Sequence, residues 1–474
     1  MLRDSLAPGG NMMSQRLKSF IFFSMILAAG LAHKAEAANI NVTTTAMPGD
    51  CLTNLMEPCQ GSNGMDCTLQ DALNIARCNG EGDAINVGAG TYDADTANIF
   101  VYFAAATENF PLTIVGAPGA IIDGANSDEC MAIDTQSATS DDQANISISD
   151  LTFQNGNTTK DDGGGLAIFI NEADVTIENC AFISNTSDGA GGGLYVNGSG
   201  ETTQFFGNNL FLGNTSSDAG AGIHARSGQD SIIAVNNILA RNTCNDGNGG
   251  GMFLNADVGD ITVTNNTFFN NAATNGDGGG IAAQVDDSDS TFNIYNNIVF
   301  GNSAGTNGDD IWTCEQGATV NLFNNDFTQY YSEALDGGSC GASATLNQGN
   351  NIPDNPDFVN SGADDFHLQS TSPAIDAGDP AAPSMPPTDF DGNPRPTGVA
   401  PDMGALEFQP APSPTPTPTP TPQPFSFFLE GSGCSLQGGG AKMPFPILLG
   451  LLLMGGMMLV LRHKAKSGSH EPLL

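Results

Sequence analysis

Residues 265–271 read "NNTFFNN", and the fold follows from how often that phrase returns. Variants stand at 179–185 ("NCAFISN"), 208–214 ("NNLFLGN"), 236–242 ("NNILARN") and 296–302 ("NNIVFGN"). Aligned on the apolar residue three before the closing Asn, the copies fall at Phe153, Phe182, Phe211, Leu239, Phe268, Val299 and Phe327. Their spacings are 29, 29, 28, 29, 31 and 28 residues. A second mark recurs between them, a Gly-rich turn followed by Leu166, Leu194, Ile223, Met252 or Ile281. A fixed period in this range means a solenoid, in which each repeat buries its apolar face against the next.

The short period inside each repeat selects the kind of solenoid. Val175/Ile177, Ile261/Val263, Phe292/Ile294 and Val320/Leu322 alternate with polar neighbours, which is strand periodicity. The rest is rich in Asn, Gly, Thr and Asp, the residues of turns. Repeats of this length, with short strands joined by turns, form one coil of a parallel β-helix. Seven coils stacked at the ~4.8 Å strand spacing make a rod of about 34 Å. Asp150, Asn179, Asn208, Asn236, Asn265, Asn296 and Asn324 share one aligned position, and Asn209, Asn237, Asn266, Asn297 and Asn325 follow beside it. Asn tolerates the left-handed backbone of a sharp corner, and stacked amides both donate and accept, so these columns are expected to be structural ladders.

The paired Gly-Gly-Gly-apolar and Phe-x-x-Asn marks resemble the repeats of polymorphic outer-membrane proteins and, more broadly, right-handed parallel β-helix surface proteins. The resemblance implies an all-β, right-handed parallel β-helix, and the usual crossover hand agrees. It leaves function open, because that architecture hosts adhesins, lyases and glycosidases. No barrel-forming segment follows, so self-secretion through one is not expected. "DCTLQDALNIA" at 66–76 is similar to the segment in which a Cys-Ser-Leu-Arg-Glu-Ala motif precedes bacterial β-helices, with Thr68, Gln70 and Asp71 in place of Ser, Arg and Glu. The block from 351 to 409, including "DFDGNPRPTGVAPDMGALEF", resembles the C-terminal part of choice-of-anchor surface proteins.

The two end segments of the sequence lead us to expect the rod outside the cell. Arg16 and Lys18 precede an apolar run at 20–32, and Ala35-Glu36-Ala37 offers a cleavage site, so residues 1–37 read as an export signal. Residues 38–110 are expected to form an N-terminal cap and first coil, with Thr68 and Asp71 starting a short helix that buries Leu69, Ala72, Leu73 and Ala76. Residues 111–350 carry the repeats, and 351–409 a second cap. A Pro/Thr linker at 410–424 would span on the order of 45 Å if extended. Residues 425–474 combine Gly433-Cys434, an apolar stretch at 443–461 and Arg462, Lys464 and Lys466. This order resembles bacterial sorting signals, with Cys434 the candidate for processing and lipidation and a permanent membrane helix the alternative. The expected location is the bacterial cell surface or outer membrane.

Export permits disulfides. Among ten Cys, the set Cys51, Cys59, Cys67 and Cys78 is expected to form two bridges, and Cys314 and Cys340 are candidate partners across one coil. Cys130, Cys180 and Cys244 leave an odd thiol. A formal charge of −39 with only 13 Lys and Arg excludes nucleic acid as a partner, since phosphate binding needs clustered cations.

Catalytic chemistry is sparse. Between residues 38 and 409 the cations are Arg77, Lys160, Arg226, Arg241 and Arg395, with His224 and His367. A lyase needs a cationic base near calcium and a glycosidase a carboxylate pair; neither stands out. Asp162, Asp188, Asp218, Asp246 and Asp277 recur once per coil as turn residues or a calcium-decorated edge, and Asp389, Asp391 and Asp402 are candidate Ca2+ ligands. Their alternative role is to accept turn amides and pair with Arg395. No cofactor is required by the reading. One face is distinctive. Alternation after each Gly turn puts Tyr195/Asn197, His224/Arg226 and Phe253/Asn255 outward on adjacent coils, either a carbohydrate platform or cross-strand packing. The expectation is therefore an anchored structural or adhesive rod, with extracellular polysaccharide as candidate partner. A polysaccharide lyase or glycoside hydrolase of this fold, and a calcium-dependent glycan-binding module, are the alternatives.

Overall fold

Because apolar and polar residues alternate within each short segment, every repeat closes into one coil with one set of side chains inside. The computed structural model describes residues 38–42, 68–77, 82–94, 99–104, 110–136, 145–159, 161–336, 338, 340 and 344–410. The export signal with Ala37, the Cys51–Cys78 cluster, Lys160, most of the linker, Cys434 and the apolar stretch at 443–461 lie outside the described residues. Among the described residues no helix is long and apolar enough to cross a membrane.

The coils stack as a right-handed parallel β-helix with three long sheets. Among the described residues the long sheet has 11 strands, from Ala38–Val42 to Thr345–Gly349. The flank sheet has nine, from Gly90–Asp93 to Asp326–Phe327, and the face sheet nine, from Phe100–Phe103 to Tyr330–Ser332. Two-residue strands from Asn157–Thr158 to Ser303–Ala304 form a fourth, six-stranded sheet between flank and face. Pairing is in register from coil to coil: Phe153, Phe182, Phe211, Leu239, Phe268 and Val299 align and are fully buried. The Phe182 ring stacks on Phe153 at 5.1 Å and on Phe211 at 4.7 Å. Each such burial contributes about 1.5–3 kcal/mol. The helix α1 (Leu69–Ala76) starts as the spacing predicts: Thr68 Oγ1 accepts from Asp71 N at 3.1 Å, and Leu69, Ala72, Leu73 and Ala76 are buried.

Asp150, Asn179, Asn208, Asn236, Asn265, Asn296, Asn324 and Asn350 turn the corner from long sheet to flank sheet with φ between 53° and 60°. The next residue points inward and forms a ladder. Asn237 Nδ2 donates to Phe206 O (2.8 Å) and to Asn266 Oδ1 (2.9 Å), while Asn237 N donates to the same Oδ1 (2.8 Å). Asn209, Asn266, Asn297 and Asn325 repeat the pattern. A second buried ladder runs through the closing Asn of each phrase, Asn185, Asn214, Asn242, Asn271 and Asn302. Satisfying each buried amide this way avoids a penalty of about 1–3 kcal/mol per orphaned group.

The block expected as a second cap is laid along the flank sheet instead. Its hairpin (Phe358–Asn360 with Asp365–Leu368) and the turns that follow cover Ile238, Ala240 and Ile298 with Phe366, Leu368, Ala374, Met403, Ala405 and Leu406. The reason is visible in the flank strands: outward Leu210, Leu212, Ile238, Ala240, Phe269, Ile298 and Phe300 are apolar and require a cover. The corner residues Asn208, Asn236, Asn265, Asn296 and Asn324 supply the polar fixings.

Candidate functional site

The Tyr195–His224–Phe253 surface lies on the face sheet, where register places the three side by side. Tyr195 and His224 stack with centroids 5.0 Å apart and 26° between planes; His224 and Phe253 stack at 5.2 Å and 28°. Phe169 leans on Tyr195 at 5.4 Å. The rings therefore cover one another's faces, and Tyr195 is only 8% exposed. A sugar that stacks on an aromatic needs an open ring face; this column presents edges. Burial, with Asp162 beside the hydroxyl, pushes the Tyr195 phenol up to about 12. Burial pushes the His224 imidazole down to about 4, so it is neutral at physiological pH, and its Nδ1 has no hydrogen-bond partner among the described residues.

Asn197, Arg226 and Asn255 form the neighbouring column, as the alternation predicts. Arg226 is exposed but committed: its guanidinium meets Asp257 in a fork, Nη2 to Oδ2 at 2.7 Å and Nε to Oδ1 at 3.3 Å. The other described Arg residues between 38 and 409, apart from Arg77 at the end of α1, are also paired: Arg241 with Asp364, and Arg395 with Glu407 at 3.1 Å. The aromatic column continues past the residues that the sequence singled out. Ala282, fully buried, is overlain by Trp312, with Phe253 and Tyr331 packed against them beside the Cys314–Cys340 disulfide. Trp312 follows Ile311 as Phe253 follows Met252; extending the register by two coils was the available signal. Cys130, Cys180 and Cys244 are all free and buried.

The three candidate calcium ligands serve other partners. Asp389 accepts from Asn393 N (2.7 Å) and Glu407 N (3.0 Å), and Asp402 from Asp376 N (2.7 Å) and Phe408 N (2.5 Å). Asp391 instead meets His367 Nε2 at 2.7 Å, while Asp365 holds Nδ1 at 2.7 Å. Among the described residues no group of three His, Cys, Asp or Glu converges as a metal site. On the acidic edge, Asp162 accepts Ala190 N, Asp246 accepts Asn275 Nδ2 and Asp277 accepts Asn307 N, each a hook to the next coil.

One buried polar cluster has no counterpart in the sequence reading. Glu315 occupies an inward position aligned with Val285 and is fully buried. Its carboxylate accepts from Thr313 Oγ1, Tyr330 Oη (3.3 Å), Ser332 Oγ (2.9 Å) and Ala334 N (3.3 Å). Burial raises its pKa despite these bonds. The set is closed on itself, so it fixes the last turns of the rod.

A family model described as "Right handed beta helix region" matches residues 136–327. No curated protein matches the chain. Among solved structures, the crystal structure of pectate lyase Pel9A is similar, at 14% identity over 79% of this chain and 97% of that one, with a TM-score of 0.35.

Proposed function

We propose that this β-helix protein is an exported, surface-anchored rod with a structural or adhesive role, of the kind its repeats and its C-terminal block resemble. The supporting observation is that its conspicuous polar and aromatic residues are spent on neighbours within the rod. Amide columns, ring stacks and the Arg226–Asp257 ion pair tie coil to coil, Arg241–Asp364 ties block to flank, and Arg395–Glu407 closes the block on itself. In this reading α1 closes the N-terminal end of the core, where an open coil would present unpaired strand edges. The 410–424 spacer holds the rod away from a membrane to which the Cys434 region attaches it. A glycan touching the face sheet would meet ring edges and the Asn197–Arg226–Asn255 column, as an adhesive contact without turnover.

The test is incubation of the purified protein with a panel of extracellular polysaccharides, assaying both retention and new unsaturated or reducing ends. Retention without new ends, or neither, agrees with the rod. Release of ends that disappears on substitution of a face-sheet residue would replace the proposal with a lyase or hydrolase. Separately, Cys434→Ala should block processing or surface retention and leave the folded rod intact. Unchanged mature mass and cell association would remove the sorting version of the anchor.

A further inference from the structure

We infer that the C-terminal block is a mechanical splice: it carries tension from the spacer into the middle of the rod and spares the last coil. The inference rests on the anchored-rod reading for its purpose, but its geometry stands alone. A parallel β-helix pulled from its final strand is weak in one specific way. Among the described residues the edge strand Thr345–Gly349 has a neighbour on one side only, so a pull from its end breaks backbone pairs in succession. The chain does not leave the rod there. It runs from Ile352 into the flank block and exits at residues 408–410.

The exit is fixed to earlier coils. Asn265 Nδ2 donates to Asp402 O (3.0 Å) and Gly404 O (3.2 Å); Gly404 N donates to Asn296 O (2.7 Å), and Ala405 N to Thr267 Oγ1 (3.0 Å). Ala405 and Leu406 are buried with Ile238 and Ala240, one coil further in. The exit is also knotted to the rest of the block. Glu407 Oε1 accepts Asp402 N and Oε2 accepts Thr397 N, both at 2.9 Å, while buried Arg395 faces Glu407 and donates Nη2 to Gly404 O (3.2 Å) and Ala405 O (3.0 Å). The remaining turns are pinned along the same line: Asn324 to Ala377 O, Asn296 to Asp379 O, Asn236 to Thr388 O and Asn208 to Phe390 O. Arg241 adds an ion pair to Asp364 and a bond to Ser361 O. A force on Gln409 thus meets the Asn265 and Asn296 coils first, and these are held by strands on both sides.

Single-molecule pulling on the full chain tests this directly. Site-specific handles go on exposed Thr91 and on either Asn355, just past the last coil, or Gln409. Pulled from Asn355, the rod should show an early low-force step as Ile352 and Thr345–Gly349 strip back towards the disulfide at Cys340. Pulled from Gln409, that early step should be absent. The double variant Asn265→Gly, Asn296→Gly keeps both left-handed corners and deletes their amides. It should unfold from Gln409 in a new early step that releases the block, and behave as wild type from Asn355 until that point. An early terminal-coil step from both handles, or Gly variants with unchanged traces from Gln409, would overturn the splice. Neither outcome depends on Cys434 processing, so failure of the anchor and failure of the splice are separable.

Discussion

Asn236 and Asn237 are adjacent in the chain and work on opposite sides of the wall. Asn236 sits at the left-handed corner with φ 56° and reaches outward to Thr388 O at 2.7 Å. Asn237 is fully buried and joins coil to coil from within. The same residue type does both jobs because strand ends expose one neighbour and bury the next. The comparison teaches that the inner column makes the rod, whereas the outer column makes the corner and then lends its amide to whatever lies on the flank.

The largest effect should follow an inner substitution. Asn237→Ala leaves Asn209 N without its acceptor, takes from Asn209 Nδ2 one of its two acceptors (Ile177 O remains) and deprives Phe206 O of that donor, inside the wall. We expect a loss of about 2–4 kcal/mol, read as a clear fall in melting temperature; a fall no greater than that of an outer Asn variant would erase the distinction. The outer column should give a smaller and divided result. Asn265→Ala loses its bonds to the block and strains a corner at φ 55°, costing about 1–2 kcal/mol for the backbone alone. Asn265→Gly should recover the corner part only, so the difference between the two variants measures backbone strain by thermal melting.

A third effect concerns pH, at a point where block and rod meet. Asp326 is fully buried, aligned between Ile298 and Ile352, and its Oδ2 has no partner among the described residues. Burial, with Asp354 and Asp310 nearby, pushes its carboxyl up to about 7. The folded state thus holds this proton more tightly than the unfolded chain, whose carboxyl releases it near pH 4. Its contribution is full below about pH 4 and is lost as pH rises towards 7. Glu129, raised to about 7, and Asp402, raised to about 6, both chiefly by burial, act in the same direction. Melting temperature should decline from pH 4 to 7, and Asp326→Asn should flatten that decline; an unchanged slope would mean that Asp326 is ionised in the fold. The smallest effect is expected from calcium. Asp389 and Asp402 accept backbone amides, so a chelator should leave melting unchanged. A drop would restore the metal reading.

The rod was legible because its information is local and repeated. A corner needs φ near 55°, so Asn recurs; an inner wall needs Phe or Leu, so Phe153 to Phe268 recur. The second ladder, Asn185 to Asn302, was visible only as the closing letter of each phrase, since nothing local says that its amide points inward. The flank block was not legible as a flank block. Its fixings run from corner amides to backbone carbonyls at Ala377, Asp379, Thr388 and Asp402, and a carbonyl leaves no mark in a sequence. The aromatic face was half legible. Alternation placed Tyr195, His224 and Phe253 together, but whether rings show faces or edges depends on side-chain tilt, which period alone does not set.

That face offers the most direct measurement of the central claim, that the distinctive side chains are internal ties. Tyr195→Ala and Phe253→Ala should each be compared with wild type in thermal melting and in binding to cells and polysaccharides. The account predicts that melting temperature falls in both variants, because each loses a stacked neighbour at about 5 Å, while any binding holds. Binding weakened by about 1–3 kcal/mol, as for a lost hot-spot aromatic, with melting unchanged would contradict it and make the column a ligand site.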